Sequence, residues 1–215
     1  MESYPLHYAS STVHLALFSP LPNAAALRQR LIAASTLSAE EGGDEERRKV
    51  DFAFVDAGMV TSRLHVLTAV TQALVARAEG ALKTKTLHSE VLWMMEPGTN
   101  ITDSLKHFGL CPSTRSLLLV HIASSPSSSS SSTKSSDEAA DILRRMEELV
   151  GEGSKLQSLD LLGKLPEGGT DEKGLRKVYK LNQDAVFSAL KIGTPEHLEE
   201  LDRLVTSAVA LKAAA

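Results

Sequence analysis

The sequence holds little of what marks a secreted protein, a metalloprotein or a membrane protein. Its 215 residues include one cysteine, Cys111, so an internal disulfide is excluded and a reducing compartment fits. One cysteine also cannot build a cysteine-based zinc site. The N-terminal residues contain no secretory hydrophobic segment, and no apolar run is long enough to span a bilayer. With 42% hydrophobic and 23% charged residues, the composition is typical of a soluble globular protein.

An excess of basic residues is missing as well. The formal net charge is -4 at pH 7. Proteins that bind nucleic acid over a broad surface usually carry a positive net charge. Any contact with nucleic acid must therefore come from a local patch of basic residues.

Catalytic and cofactor-binding signatures are also absent. The sequence has no Walker-type phosphate loop, dinucleotide glycine fingerprint, kinase signature set, Gly-x-Ser-x-Gly elbow or His-x-x-x-His pair. The residues His88, Ser89 and Glu90 are a tempting set of base, nucleophile and acid. Consecutive residues of a helix point about 100° apart, however, and cannot converge on one substrate atom. The sequence predicts no catalytic residue, no cofactor and no metal site.

Three segments have the length and apolar pattern of β-strands. Residues 12–20 and 50–58 place apolar side chains on alternate positions. Residues 115–122 form a near-continuous apolar run, which is typical of a central strand covered on both faces. Helical spacing dominates the rest of the chain. We therefore expect residues 1–215 to form a single mixed α/β domain, with a small sheet of about four strands covered by several helices.

Apolar spacing and capping residues predict the main helices. They are expected at residues 22–35, 61–82, 87–95, 100–109, 137–153 and 194–215. The apolar stripe of the second helix is predicted at Leu67, Val70, Leu74, Ala78 and Leu82, and that of the last helix at Leu198, Leu201, Val205 and Ala208.

Two segments of biased composition interrupt this pattern. Residues 39–49 are a glycine-containing charge run and are predicted to be a solvated loop insertion. Residues 124–136 consist almost entirely of serine and cannot bury apolar surface. They are predicted to be a disordered insertion at the surface.

A basic stretch directly precedes the helix expected at residues 87–95. The first N–H groups of a helix lack partners within it, and together with the helix dipole they favour an anion. In an extended segment, Lys83 and Lys85 would emerge on one side. With Thr86, and with Arg77 one element earlier, they are candidate ligands of an RNA phosphate. The alternative is that the lysines are solvated and the threonines only cap the helix.

The same region resembles a known family. The matching stretches are LKTKTLHSEVLWMMEPGTNITDSLKHFGL, then TRSLLLVHI, with DFAFVDAGMVTSRLHVLTAVTQAL ahead of them and LRKVYKL after them. They resemble the PRPK-binding protein family, the TPRKB-like small subunits of the KEOPS (EKC) complex. The resemblance is strongest over residues 50–122, extends to residues 175–192 and is weak at the N-terminus.

The resemblance implies a non-catalytic regulatory subunit that binds a small atypical kinase/ATPase and modulates its activity. Other KEOPS subunits would be contacted through that kinase. The complex makes threonylcarbamoyladenosine beside the anticodon of tRNAs that read codons starting with A, and another subunit performs the transfer. Archaeal relatives hold the 3′ end of tRNA, which makes tRNA a candidate partner. The resemblance further implies a location in the nucleus and cytoplasm, and no membrane contact.

The C-terminal helix is the predicted kinase-binding surface, together with the short helix before it. Its apolar residues outnumber those that one stripe needs, so one face could pack on the domain and another on a partner. The candidate interface residues are Leu204, Val205, Val209 and Leu211. The alternative is that all of them belong to the domain's own core.

Two other functions remain open at this point. The chain could be a kinase-binding adaptor without RNA contact. It could also be an enzyme of unrecognised type that uses the start of the helix at Leu87 as its site.

Overall fold

A computed structural model describes residues 1–6, 10–38, 42–124, 132–165 and 169–212. The chain groups into two compact units, each built from two segments. Unit 1 comprises Met1–Val55 and Leu110–Leu159, and unit 2 comprises Asp56–Gly109 and Asp160–Ala215.

The β-sheet has five strands in the described part of the chain. They are β1 (Glu2–Leu6), β2 (Ser11–Phe18), β3 (Ala53–Asp56), β4 (Leu117–Ser124) and β5 (Leu156–Gln157). The strand order is β1-β2-β4-β3, and β5 pairs with the end of β2. β2 is antiparallel to β1, β4 and β5, with Val13 opposite Ile122 and Leu17 opposite Leu118.

Helices make up most of the remaining described residues. They are α1 (Ala24–Thr36), α2 (Gly43–Lys49), α3 (Arg63–Ala78), α4 (Leu87–Met95), α5 (Ile101–His107), α6 (Ser132–Val150), α7 (Glu172–Val178), α8 (Ala185–Ala189) and α9 (Pro195–Lys212). Short 3-10 turns lie at Ala57–Met59, Leu159–Leu161 and Leu181–Gln183. Across the described ranges, no helix combines the length and apolar character that a membrane span requires.

The core of unit 1 lies between the sheet and its own helices. Apolar side chains from one face of β2 and β4 pack with those of α1 and α6. The members are Ala16, Phe18, Leu21, Ala24, Leu27, Phe52, Phe54, Leu110, Leu117, Leu119, Ile142, Met146, Leu149 and Val150. All are at most 7% exposed, so this cluster supplies much of the apolar burial that stabilises unit 1.

Unit 2 is built around α3. This helix packs against α4 and α9, and α5 packs against α4. The Ser62 side chain caps α3 by accepting a hydrogen bond from the His65 N–H. Small residues on the buried side of α3, such as Ala69 and Ala73, let neighbouring helices approach closely.

Several sequence predictions are confirmed. The fold class is α/β, with a helix-covered sheet of five strands rather than about four. β4 is central in the sheet, and Leu117 to Val120 are all 0% exposed, as expected for a strand covered on both faces. The helix predicted at residues 87–95 has those bounds in the structure.

The prediction of a loop at residues 39–49 is wrong for its last seven residues, which form α2. Ion pairs within the helix join Arg47 to Asp44 at 2.6 Å and Lys49 to Glu45 at 2.8 Å. The acidic residues occupy the first turn and the basic residues the last, which suits the helix dipole. The charge pattern that looked like a solvated loop therefore stabilises a solvated helix.

Two other predictions need correction. Ser132 to Ser136 belong to α6, so the serine insertion predicted at residues 124–136 does not extend that far. Its central part, residues 125–131, lies outside the described residues, as do residues 39–41 of the charge run. α3 ends at Ala78, and therefore Leu82 is not part of its apolar stripe.

Candidate functional site

The basic loop, defined as residues 83–86, lies immediately before α4. Both lysines in it, Lys83 and Lys85, are exposed, whereas Thr84 between them is half-buried. The sequence argument required an extended segment, whereas the backbone bends at residues 83–86. Lys83 and Lys85 stay candidate ligands of an RNA phosphate because both are exposed.

The carboxylate of Glu90 holds the inner side of the basic loop. Glu90 lies in the first turn of α4 and is 0% exposed. It accepts hydrogen bonds from the Lys83 N–H at 3.1 Å, the Thr84 N–H at 2.8 Å and the Thr84 hydroxyl at 2.7 Å. Hydrogen bonds to an ionised acceptor are stronger than those between neutral groups, and they compensate the carboxylate for lost water.

A capping box closes the N-terminus of α4. The Thr86 hydroxyl accepts from the Ser89 N–H at 3.1 Å, and the Ser89 hydroxyl accepts from the Thr86 N–H at 3.2 Å. The sequence argument assumed that the first N–H groups of this helix are open to an anion, and for Ser89 this is wrong. An anion at this place would depend on the lysine ammonium groups rather than on the helix N-terminus alone.

Arg77, the fourth candidate phosphate ligand, lies in the last turn of α3. The helix ends through Gly80, whose φ is +67°, and the Ala81 N–H bonds to the Ala76 carbonyl at 2.8 Å. This turn separates Arg77 from the basic loop along the chain.

The three consecutive residues considered as a catalytic set make structural contacts: they are His88, Ser89 and Glu90. The Ser89 hydroxyl bonds within the loop and cap, to Thr84 and Thr86, whereas the Glu90 carboxylate bonds the amides described above. His88 is 7% exposed. The Ser89 hydroxyl and the Glu90 carboxylate are joined through the Thr84 hydroxyl, which accepts from Ser89 and donates to Glu90.

The buried row of α9 differs from the predicted stripe by one position at either end. It consists of His197, Leu201, Val205 and Val209. Val205 is 0% and Val209 is 1% exposed. Their assignment to a kinase-binding surface is therefore wrong, because both side chains are buried within the protein's own core.

The other two predicted interface residues remain accessible. Leu211 is 65% exposed and Leu204 is half-buried. Since they are seven positions apart, they lie on one side of the helix, away from the centre of its buried row. Their role as interface residues stays a prediction.

Two exposed apolar residues near α8 were not singled out from the sequence. Val186 on α8 and Ile192 in the turn before α9 are each 66% exposed. Phe187 beside them is 1% exposed and anchors the short helix. The sequence signal was available, since a five-residue helix cannot bury every apolar side chain of the segment DAVFSALKI.

Lys212 joins the end of α9 to the end of α4. Its ammonium group donates hydrogen bonds to the backbone carbonyls of Trp93, Glu96 (2.6 Å) and Gly98 (3.0 Å). It also lies 3.4 Å from the centre of the Trp93 ring. Burial lowers the pKa of Lys212 to about 8, partly offset by the carboxylates of Glu96 and Glu90. No local sequence pattern pointed to this contact.

A buried polar cluster crosses unit 2. The Tyr179 hydroxyl donates to the Met95 carbonyl at 2.5 Å and lies 3.2 Å from His65 Nε2. The Thr61 hydroxyl lies 3.4 Å from the other nitrogen of that ring and donates to Asp202 at 2.6 Å. Burial lowers the pKa of His65 to about 4, with a smaller opposing effect of Asp202, and burial raises the pKa of Tyr179. The imidazole is therefore neutral at pH 7 and serves as a hydrogen-bonding partner in the core.

Within the described ranges, no group of three or more histidine, cysteine, aspartate or glutamate side chains is placed to hold a metal ion. The basic loop and the accessible apolar residues of α8 and α9 are the candidate functional features.

Comparison with known proteins agrees with the resemblance seen in the sequence. The family described as kinase binding protein CGI-121 matches residues 18–213. The relatives include proteins named EKC/KEOPS complex subunit CGI121. That of Gibberella zeae is 30% identical over 95% of this chain and 93% of its own length. That of Cryptococcus neoformans var. neoformans is 30% identical over 98% and 96%, and that of Coccidioides immitis is 29% identical over 94% and 84%. The chain belongs to the kinase binding protein CGI-121 family.

Proposed function

We propose that this chain is a non-catalytic regulatory subunit of a KEOPS/EKC complex, and that it binds and modulates the small atypical kinase/ATPase of that complex. The family match over residues 18–213 carries the proposal. The complex would make threonylcarbamoyladenosine in tRNA in the nucleus and cytoplasm, with the transfer performed by another subunit.

The proposed kinase contact uses the accessible apolar residues at the C-terminal end of unit 2. Leu204 and Leu211 share one side of α9 and are not needed for its buried row. Val186 on α8 adds exposed apolar surface. Apolar side chains that are left accessible on a folded chain are the usual anchors of a protein interface.

The test uses Leu204→Glu with Leu211→Glu, and isothermal calorimetry against the purified kinase subunit. The affinity is expected to fall by about tenfold or more, because two apolar anchors become charged. The matched control is Ile32→Glu on α1 of unit 1, since Ile32 is also apolar and 49% exposed. Equal affinity of the double variant and the control, with normal unfolding of both, would exclude this part of α9 from the interface.

We also propose that the basic loop contributes a contact to tRNA phosphate. The exposure of Lys83 and Lys85 in a loop that Glu90 holds by hydrogen bonds supports this contact. Lys83→Glu with Lys85→Glu is expected to weaken tRNA binding. The slope of log affinity against log salt should decrease in magnitude by about 1.4 to 1.8, which corresponds to two phosphate contacts. Kinase binding should persist, because the two proposed surfaces use different residues.

A kinase-binding adaptor without RNA contact is the second candidate. The Glu90 carboxylate favours it, because it occupies the amide donors of the basic loop and places a negative charge beneath the lysines. Filter binding over a salt series separates the two candidates. An unchanged affinity and slope in the lysine variant, with intact kinase binding, would support the adaptor. Turnover by the isolated chain would instead support an enzyme.

A further inference from the structure

We propose that Glu90 is a positioning residue for the RNA-phosphate contact, acting through the basic loop. This inference rests on the proposed contact of Lys83 and Lys85 with tRNA. Glu90 itself would not touch the RNA, because its carboxylate is 0% exposed. Its role would be to fix the backbone from which the two lysines extend.

The hydrogen bonds of Glu90 all go to the segment that carries the lysines. Two adjacent backbone N–H groups, those of Lys83 and Thr84, point at one carboxylate, and the Thr84 hydroxyl completes the set. A buried carboxylate that lost these donors would be strongly destabilised, so the loop and the carboxylate fix each other.

This anchoring decides where the lysine side chains point. The Thr84 side chain bonds to Glu90, whereas its two neighbours, Lys83 and Lys85, are exposed. The Ser89 hydroxyl donates to the Thr84 hydroxyl at 3.0 Å, which joins the loop to the capping box of α4. Two ammonium groups on a fixed backbone lose less conformational freedom on binding than two on a mobile one.

The sign of the expected effect separates positioning from simple electrostatics. Glu90→Gln removes a negative charge that is bonded to the backbone of the loop carrying both lysines, so by Coulomb's law alone it should strengthen binding to RNA. The positioning role predicts weaker binding, because the glutamine amide cannot accept the same three donors without turning an N–H₂ group towards one of them. Glu79→Gln is the matched control: Glu79 is exposed at the end of α3, and the substitution makes the same change in charge.

The experiment measures binding of an unmodified transcript of a tRNA that reads codons starting with A to the full chain, by filter binding over a salt series. Glu90→Gln is expected to weaken binding about fivefold, and Glu79→Gln to leave it equal or slightly tighter. When Glu90→Gln is added to the Lys83→Glu, Lys85→Glu variant, no further loss is expected, because both changes disable one contact. Hydrogen exchange at the Lys83 and Thr84 amides should become faster in Glu90→Gln.

The outcomes distinguish the inference from the proposed function. If the double lysine variant binds tRNA as the unaltered chain does, the RNA contact itself is wrong, and the positioning role is overturned with it. If that variant binds weakly but Glu90→Gln binds equally well or more tightly, only the positioning role is overturned. Should Glu90→Gln fail to fold, Glu90→Asp decides, since it keeps the charge but shortens the side chain, so that the carboxylate no longer reaches the loop donors in the same way. An unchanged affinity of Glu90→Asp would then refute the positioning role.

Discussion

Two apolar residues of α9, two positions apart, should respond very differently to the same charged substitution. Val209 is 1% exposed in the buried row, whereas Leu211 is 65% exposed. Val209→Glu is therefore expected to destabilise the protein strongly, and Leu211→Glu to leave its stability nearly unchanged.

The magnitude follows from burial. Loss of a fully buried valine side chain removes about 1.5 to 3 kcal/mol of hydrophobic stabilisation. A glutamate at position 209 also places a carboxyl group without a hydrogen-bond partner in the core. This costs about another 1 to 3 kcal/mol of stability, even when the carboxyl group is protonated. Val209→Glu should therefore lower the free energy of unfolding by about 2.5 to 6 kcal/mol, a large part of the roughly 5 to 15 kcal/mol of a typical domain. At the exposed position, a change within about 0.5 kcal/mol is expected.

Urea unfolding followed by circular dichroism measures both variants. With a slope of about 1 to 3 kcal/mol per molar urea, the Val209→Glu midpoint should fall by about 1 M or more, or the variant should be unfolded from the start. Similar midpoints for Val209→Glu and Leu211→Glu would contradict the assignment of buried and accessible sides on α9. That result would also make Val209 a candidate for the proposed kinase-binding surface again.

Three further predictions concern the core and the cap of unit 2. The pKa of His65 is about 4 in the folded chain and 6.5 ordinarily, so as pH falls the unfolded chain binds the proton before the folded chain does. From this group alone, the free energy of unfolding should drop by about 2 kcal/mol between pH 7 and pH 5. Urea unfolding of His65→Gln at the same two pH values should lack that part of the loss. Tyr179→Phe leaves the buried Met95 carbonyl without its hydroxyl donor and should lower the free energy of unfolding by about 1 to 3 kcal/mol, measured with urea. The control Tyr4→Phe removes a hydroxyl that bonds to Glu2 and should lower it much less. Equal losses would contradict the stabilising role of the buried cluster. Thr86→Ala removes the cap of α4 and should cost about 1 kcal/mol by the same measurement, and an unchanged midpoint would show that the capping box does not contribute.

The sequence was sufficient to predict those features that depend on residues close together in the chain. The bounds of α4 follow from Thr86 and its apolar run. Asn100, the first residue of the helix predicted at residues 100–109, caps α5 by accepting from the Thr102 N–H at 3.0 Å. The central place of β4 follows from its uninterrupted apolar residues.

Sequence reasoning failed where the outcome depends on which side of an element meets the rest of the fold. On α9, the apolar spacing fits a stripe ending at Ala208 almost as well as the observed row ending at Val209, because the two positions differ by one helical step of about 100°. The partners of Glu90 could not be found in this way, since its hydrogen bonds depend on how the chain turns before α4. The same limit applies to Lys212, whose carbonyl partners lie more than 110 positions away.

The contact between Lys212 and Trp93 also gives the protein an optical probe of its own. Trp93 is the one tryptophan of the sequence, so tryptophan emission from the whole chain comes from a single place. That indole lies 3.4 Å from the Lys212 ammonium, one residue beyond the accessible Leu211. Emission intensity should therefore change when the last turn of α9 detaches or when a tryptophan-free partner segment covers it. A label-free titration of the proposed kinase contact can be read from this one fluorophore.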